Sequence, residues 1–172
     1  MSLPPIFLLI AGLTLSSIFI DTLHTCDLGV TAHIVANIFI IVAQKRRGGR
    51  IEQRVEAIGE ELERWCKDRK AKSGLQGKLT HQRCRSQSGF PKLKAKGAAV
   101  RCILRFALEL ARRERLDDRV IGVAQLMERF YEIIYSQSLI MAQDAIDRLE
   151  QTGSLLCNIY IRGWRQRHFL EG

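Results

Sequence analysis

The chain opens on a long apolar stretch. Leu3–Ile20 carries no charge over 18 residues, the lower limit for a helix that spans a bilayer. Two prolines and Gly12 interrupt a helix of that length. Two short buried strands, near Ile6–Ala11 and Ser17–Ile20, suit the pattern better, because a strand covered on both faces reads as a continuous apolar run. We therefore expect strands here, and a membrane span is the alternative.

A second apolar run, Val30–Ala43, has helical periodicity. One helical face collects Ile34, Ile38, Ile41 and Val42, with Val35 and Phe39 adjoining. At 14 residues the run is short for a membrane span, so a buried helix explains it. The Lys45-Arg46-Arg47 that follows resembles the positively charged flank of a membrane span, which keeps the membrane alternative open.

Amphipathic helices account for the next part of the chain. Arg50–Ala71 places apolar residues at steps of four and three, namely Ile51, Val55, Ile58, Leu62 and Trp65. Ser73–Gly89 is polar and rich in Gly and Ser, which predicts a loop. A helix over Leu93–Arg115 follows, with Val100, Ile103, Leu104, Ala107, Leu108 and Ala111 as its apolar face.

The last part predicts one long helix and one short one. Asp117 or Asp118 is suited to cap a helix that runs to about Gln151. Gly153 is expected to end it, and Leu155–Phe169 then forms a final helix. The predicted fold class is mainly α, with about five helices and one or two short N-terminal β-strands.

Charge divides the chain into three segments. Residues 1–44, which include the apolar runs, carry −2, residues 45–115 carry +13, and residues 116–172 carry −2, giving a net +9. We take these as the three regions of the chain: an apolar segment, a basic helical region with the loop at 73–89, and the C-terminal helices. A local positive excess indicates an anionic partner, either nucleic acid or an anionic membrane surface. The alternative is a solvated helical surface with no partner.

The basic region contains a candidate nucleic-acid contact surface. Its members lie in the loop and in the helix that follows: Lys78, Arg83, Arg85, Lys92, Lys94, Lys96, Arg101 and Arg105. Lysines near phosphates add affinity without sequence preference, through counterion release. The three lysines at alternate positions do not share one face of a helix, whereas in an extended segment they would line one side.

Few residues suggest metal or nucleophilic chemistry. The five cysteines are odd in number and widely spaced, without C-x-x-C, so neither a disulfide framework nor a zinc ribbon is indicated, and buried reduced thiols are expected. His81 and Cys84 have the spacing of half a zinc site with no second pair, so no metal is expected. Aromatic residues at helical spacing are expected in the core: Trp65, Phe106, Phe130, Tyr131 and Tyr135.

One short constellation combines two acids with an imidazole. Asp21, His24 and Asp27 recur at three-residue steps, so on a helix they form one ridge. Such a ridge can orient a metal-binding acid or fix an imidazole tautomer. The simpler interpretation is a helix cap, Asp21, satisfied by a polar core partner, His24.

The stretch D-x-x-H-x-x-D-L-G-V, followed by an apolar helix, resembles a segment of DDE-type transposases of the CACTA/tnp2-like groups. The resemblance is closest over residues 12–40, and Phe90–Ala111 resembles the helical insertion of transposon-derived proteins. This resemblance implies an RNase H-like catalytic core. The chain would contain part of one edge of that core together with the helical insertion. Asp21, His24 and Asp27 would then be the motif residues.

The departures from that family matter for function. Two-metal phosphoryl transfer needs several carboxylates around the metals, and only Asp21 and Asp27 precede Glu52. We therefore expect a catalytically incomplete, transposon-derived fragment that binds nucleic acid weakly and without sequence preference. No cofactor is expected, and Mg²⁺ would be implied only for an intact parent transposase. The expected location is nuclear or otherwise intracellular. The alternative is a small membrane-associated protein inserted by residues 3–20.

Overall fold

The computed structural model describes residues 22–85, 90–136 and 141–164, except for the side chains of 22–25 and 160–164. Within these ranges the protein is mainly helical, as predicted. Five α-helices are present: α1 (Ala32–Lys45), α2 (Ile51–Asp68), α3 (Gly97–Arg113), α4 (Asp118–Ser136) and α5 (Gln143–Trp164). A π-helical segment, Thr22–Thr31, leads into α1, and a 3₁₀ helix, His81–Cys84, interrupts the loop between α2 and α3.

The predicted N-terminal strands, near 6–11 and 17–20, lie outside the described residues. The described ranges contain no strand, and their single β-bridge joins Arg85 to Pro91 in antiparallel orientation. The RNase H-like edge therefore stays a prediction.

Helix α1 lies at the centre of the protein. Because it is apolar around most of its circumference, it must be surrounded by other helices to be buried. It packs against α2, α3, α4 and the 3₁₀ helix, and Ile34, Ile38 and Phe39 are fully buried. The Phe39 ring lies 6.0 Å from that of Phe106 in α3. The prediction of a buried helix over Val30–Ala43 is confirmed.

Helices α2 and α3 bury the apolar faces that their periodicity predicts. In α2, Val55, Ile58 and Leu62 are buried, and the helix ends three residues earlier than expected. In α3 the whole predicted face is buried: Val100, Ile103, Leu104, Ala107, Leu108 and Ala111. Helices α1, α2, α3 and α4 contribute to one continuous hydrophobic core, so the three charge-defined regions share it.

The start of α3 differs from the prediction. The helix begins at Gly97 and not at Leu93, because residues 91–94 pair with residues 83–85 and the chain bends at Ala95 before the helix. The backbone N–H of Leu93 donates to the carbonyl of Ala32 at 3.0 Å, which holds this segment against the start of α1. A tertiary hydrogen bond thus overrides the local helical pattern.

The single long helix predicted from Asp117 or Asp118 to Gln151 is wrong. Two helices, α4 and α5, replace it, and Gly153 lies inside α5 without ending it, so residues 155–164 continue α5 and do not begin a separate helix. One helix of that length would extend about 50 Å and carry its apolar face away from the core. Folding back lets α5 pack on α4, where Gly153 lies against Phe130.

The predicted cap of α4 is confirmed. The carboxylate of Asp117 accepts the backbone N–H of Arg119 at 2.8 Å, which satisfies one of the amide groups that the first turn leaves free.

Candidate functional site

Of the predicted acid–imidazole ridge, the structure describes fully only Asp27. Asp21 lies outside the described residues, and His24 is described only in its backbone, within the π-helical segment. This segment kinks at Gly29, whose φ of −93° and ψ of −105° are not helical. Asp27 is 2 % exposed, so its carboxylate needs partners inside the protein.

Two helices supply those partners. The Tyr131 hydroxyl, on α4, donates to Asp27 Oδ1, and Arg101 Nη1, on α3, lies 3.3 Å from Oδ2. Thr31 Oγ1 is 2.8 Å from the Tyr131 hydroxyl. Burial raises the pKa of Tyr131, and the neighbouring Asp27 adds to the effect, so the hydroxyl stays protonated and donates. The carboxylate of Asp27 therefore joins the π-helical segment to α3 and α4.

Tyr135 completes this cluster at the surface. The guanidinium of Arg101 lies 4.5 Å from the centre of the Tyr135 ring and also donates to its hydroxyl. The rings of Tyr131 and Tyr135 stack at 6.1 Å with 27° between their planes. Tyr135 is 56 % exposed, so its expected place in the core is wrong. Spacing alone puts Tyr131 and Tyr135 on neighbouring turns of one helix, but it does not show that their partners come from other helices.

The described residues contain no group of three His, Cys, Asp or Glu side chains that could hold a metal ion. His81 and Cys84 both belong to the 3₁₀ helix. His81 Nδ1 lies 3.5 Å from Glu52 Oε1 on α2. Burial raises the pKa of the Cys84 thiol to about 12, so this cysteine is protonated at neutral pH.

The three lysines at alternate positions lie on extended backbone before α3. Lys92 N–H donates to the carbonyl of Cys84 at 3.0 Å, and Lys94 N–H donates to that of Arg83 at 2.8 Å, so residues 83–85 and 91–94 run side by side. Pro91 and Leu93 are buried and Ala95 is half-buried, whereas Lys94 and Lys96 are exposed and Lys92 is partly exposed. As expected for an extended segment, the lysines line one side.

We call these lysines, together with the exposed Arg85 on the neighbouring segment, the basic row: Arg85, Lys92, Lys94 and Lys96. His33 on α1 helps to hold it in place, since His33 Nδ1 lies 2.7 Å from the carbonyl oxygen of Pro91. Backbone groups thus fix the row to α1. The side chains of Lys94 and Lys96 stay exposed, and that of Lys92 stays partly exposed.

The three other predicted arginines have partners elsewhere in the protein. Arg101 is engaged by Asp27, and Arg105 Nε lies 3.3 Å from Glu128 Oε1. Arg83 donates to the carbonyl of Gln76. Lys78 borders a cavity of about 250 Å³ that is also lined by three glutamates of α2, Glu56, Glu60 and Glu63. The predicted set therefore divides into the basic row, three arginines whose side chains contact protein groups, and the exposed Lys78.

The surroundings of the basic row are strongly basic. From Arg69 to Leu108 the sequence holds 11 Lys and Arg and no acidic residue. Lys96 immediately precedes α3, whose first turn has no acid, so the partial positive charge of the helix N-terminus reinforces the lysines. Within the described part of the chain, arginines and His81 form the ion pairs, and no lysine does.

Two residues of the basic flank considered for a membrane span, Lys45 and Arg46, are bound to the protein. Lys45 donates to the carbonyls of Glu114 and Arg115, and Arg46 bridges Glu61 and Glu114 at 2.6 Å each. Of the described residues, one helical stretch, Cys26–Lys45, is long and apolar enough to cross a membrane, and 72 % of its apolar window is buried inside the protein. Burial of that kind is also typical of the core helix of a soluble protein.

Comparison of the chain with protein-family models, with curated proteins and with solved structures finds no match. The resemblance of residues 12–40 to the transposase segment stays a prediction.

Proposed function

We propose that the protein binds nucleic acid weakly and without sequence preference, through the basic row. The observation that supports this most directly is the row itself: three lysines on one side of an extended segment, none of them in an ion pair with a described carboxylate. Successive lysines at alternate positions of an extended chain are about 6.6 Å apart. That is close to the axial rise of two nucleotides along one strand, about 6.8 Å.

Contacts of this kind contribute to binding affinity but give no preference for a nucleotide sequence. Lysines that neutralise phosphates release condensed counterions, which gives non-specific dissociation constants of about 10⁻⁴ to 10⁻⁶ M at physiological salt. Reading a sequence requires side chains aimed at base edges, and the basic row supplies only cationic groups on a surface. The proposed binding is therefore weak and strongly dependent on salt.

The proposal also covers the origin and location of the chain. We infer a transposon-derived fragment, nuclear or otherwise intracellular, that has no strand-transfer or nuclease activity by itself. In this account Asp27, a motif residue by resemblance, serves as a structural anchor, since Tyr131 and Arg101 occupy both of its oxygens. Mg²⁺ is implied only for an intact parent enzyme.

Salt titration of duplex binding tests the proposal. Anisotropy of a short fluorescein-labelled duplex is measured between about 50 and 200 mM salt, and each phosphate contact contributes about 0.9 to the slope of log K against log salt. The variant Lys92→Gln/Lys94→Gln/Lys96→Gln should lower that slope by about 2 to 3. Absence of binding at low salt, or a slope unchanged in the variant, would refute the basic row as the interface.

A matched control removes the same charge elsewhere. The variant Arg47→Gln/Arg119→Gln/Arg129→Gln neutralises three exposed arginines outside the row, none of which forms an ion pair with a described residue. It should leave the slope close to that of the unmodified protein. An equal loss in both variants would mean that net charge, and not the row, determines binding.

The uncharged run Leu3–Ile20 favours membrane association as the second candidate. Carbonate extraction of membranes from cells that express the full chain distinguishes the two. Retention in the membrane pellet supports the second candidate, and release into the supernatant rules out an inserted protein.

A further inference from the structure

A groove of about 780 Å³ runs along the outer face of α3 and is bordered by α2 and α4. Aromatic and cationic side chains line it together, among them Trp65, Arg101, Arg105, Tyr131 and Tyr135. Such a combination is typical of sites that stack nucleobases and hold the attached phosphates.

Tyr135 is the most exposed of the aromatic rings that line this groove. Its ring is more than half exposed, yet Arg101 lies over it and Tyr131 stacks beside it. Arg101 is held in turn by the buried carboxylate of Asp27. An exposed aromatic ring that is fixed in this way loses little conformational entropy when a ligand stacks on it.

The charges of the groove are partly neutralised. Arg69 pairs with Glu109 at 3.0 Å, and Arg105 pairs with Glu128. The remaining lining charges are Arg112 and Glu132, both exposed and neither in an ion pair with a described residue. Glu132 is therefore the side chain that would repel an anion most directly, so removing its charge should strengthen the binding of an anion.

The groove adjoins the basic row. Ala98 and Arg101, in the first turns of α3, line it, and Lys96 directly precedes that helix. On the opposite side, Ala71 lines the groove, and the carbonyl of the next residue, Lys72, accepts the Cys102 thiol at 3.3 Å. The N-terminal end of α3 therefore links the groove to Lys96, the last lysine of the basic row.

We propose that the groove accepts a base of single-stranded nucleic acid, stacked on Tyr135, while the basic row holds neighbouring phosphates. This inference rests on the proposed nucleic-acid binding and adds a preference to it. A base within a duplex is already stacked on its neighbours, so only an unpaired base can use Tyr135. Single strands should therefore bind more tightly than duplexes of equal charge.

The test compares labelled single-stranded and duplex oligonucleotides of one sequence, using anisotropy and the full chain. Tyr135→Ala should weaken single-strand binding by about 5- to 150-fold, the range expected for one stacked base, and leave duplex binding unchanged. Tyr135→Phe keeps the ring and should retain most of the affinity, and Glu132→Gln should strengthen single-strand binding. An abasic oligonucleotide should bind the unmodified protein as weakly as the ordinary single strand binds Tyr135→Ala.

Fluorescence gives a second readout. In a Trp164→Phe background the remaining tryptophan is Trp65, which lines the groove, so single-stranded oligonucleotide should quench its emission and abasic oligonucleotide should not. Unchanged single-strand binding in Tyr135→Ala, or equal losses for both nucleic acids, would overturn this inference while the basic row still stands. No binding of either nucleic acid would overturn the proposed function itself.

Discussion

Gly59, in the middle of α2, lets the loop between α2 and α3 approach the helix closely. A Cβ atom added at Gly59 would lie 2.9 Å from Leu79 Cβ and 3.6 Å from the backbone N and O of Leu79. Carbon atoms in contact normally stay about 3.5 to 4.0 Å apart. Since Leu79 is 2 % exposed and part of the core, Gly59→Ala must displace buried atoms.

Two opposing contributions set the size of this effect. Replacing Gly by Ala inside a helix favours folding by about 1 kcal/mol. Forcing a methyl group into a packed contact costs about 1 to 3 kcal/mol. Taking about 2 kcal/mol for a clash with Cβ and backbone atoms, we expect Gly59→Ala to lower the free energy of unfolding by about 1 kcal/mol.

Gly122, in α4, is the matched control, because a Cβ added there meets no atom within 4 Å. Gly122→Ala should raise the free energy of unfolding by about 0.5 to 1 kcal/mol. Urea unfolding followed by circular dichroism measures both values, and an unchanged m-value confirms that each transition stays comparable. If both variants were stabilised alike, the close approach of Leu79 to α2 would be refuted.

Three further predictions concern buried polar groups and thiols. Tyr131→Phe removes the hydroxyl that donates to Asp27, so urea unfolding should show a loss of about 1 to 3 kcal/mol, and an unchanged value would contradict the anchoring role. Burial alone would raise the pKa of Glu61, but hydrogen bonds from two arginines outweigh it and the pKa is lowered. Glu61 therefore stabilises the protein above its unfolded pKa of about 4.3, and this stability is lost as the pH falls through the lower folded pKa. In that acidic range the Tm of Glu61→Gln should fall less steeply with pH than that of the unmodified protein. Identical curves of Tm against pH would argue against the contacts of Glu61 with the two arginines. The exposed Cys157 should react with Ellman's reagent in the native protein. Burial raises the pKa of the Cys26 thiol to about 11, so Cys26 should react only after unfolding. A Cys157→Ser variant that keeps the fast reaction would contradict this assignment.

Helical periodicity predicts most of the fold because it is a local property. The apolar run around Ile38 and the stripe of α2 identify buried faces without reference to any partner, and the structure buries both. The start of α3 escapes this reasoning, because the non-helical conformation of residues 91–96 depends on tertiary contacts such as the hydrogen bond from Leu93 to Ala32. The division into α4 and α5 escapes it too, since it depends on where the core ends.

The candidate site is only partly predictable for a related reason. The basic row follows from alternate lysines once the backbone is known to be extended, and that condition is tertiary. Asp27 and Tyr131 are 104 residues apart, so no spacing rule connects them. The exposure of Tyr135 likewise depends on the neighbours of α4, and periodicity places the residue only on a helix face.

Within residues 45–115, several arginines form ion pairs with carboxylates, whereas the lysines of the basic row form none with a described residue. The planar guanidinium suits paired contacts with carboxylates, whereas the lysine ammonium is more strongly hydrated. Accordingly, Arg46 joins α1 to Glu61 of α2, and Arg101 joins α3 to Asp27, while the lysines of the basic row face solvent. A sequence count of +13 therefore overstates the charge available to a partner. It follows that replacing Arg46 or Arg101 should lower stability first, whereas replacing the lysines should weaken nucleic-acid binding with little change in stability, so that the two roles can be separated experimentally.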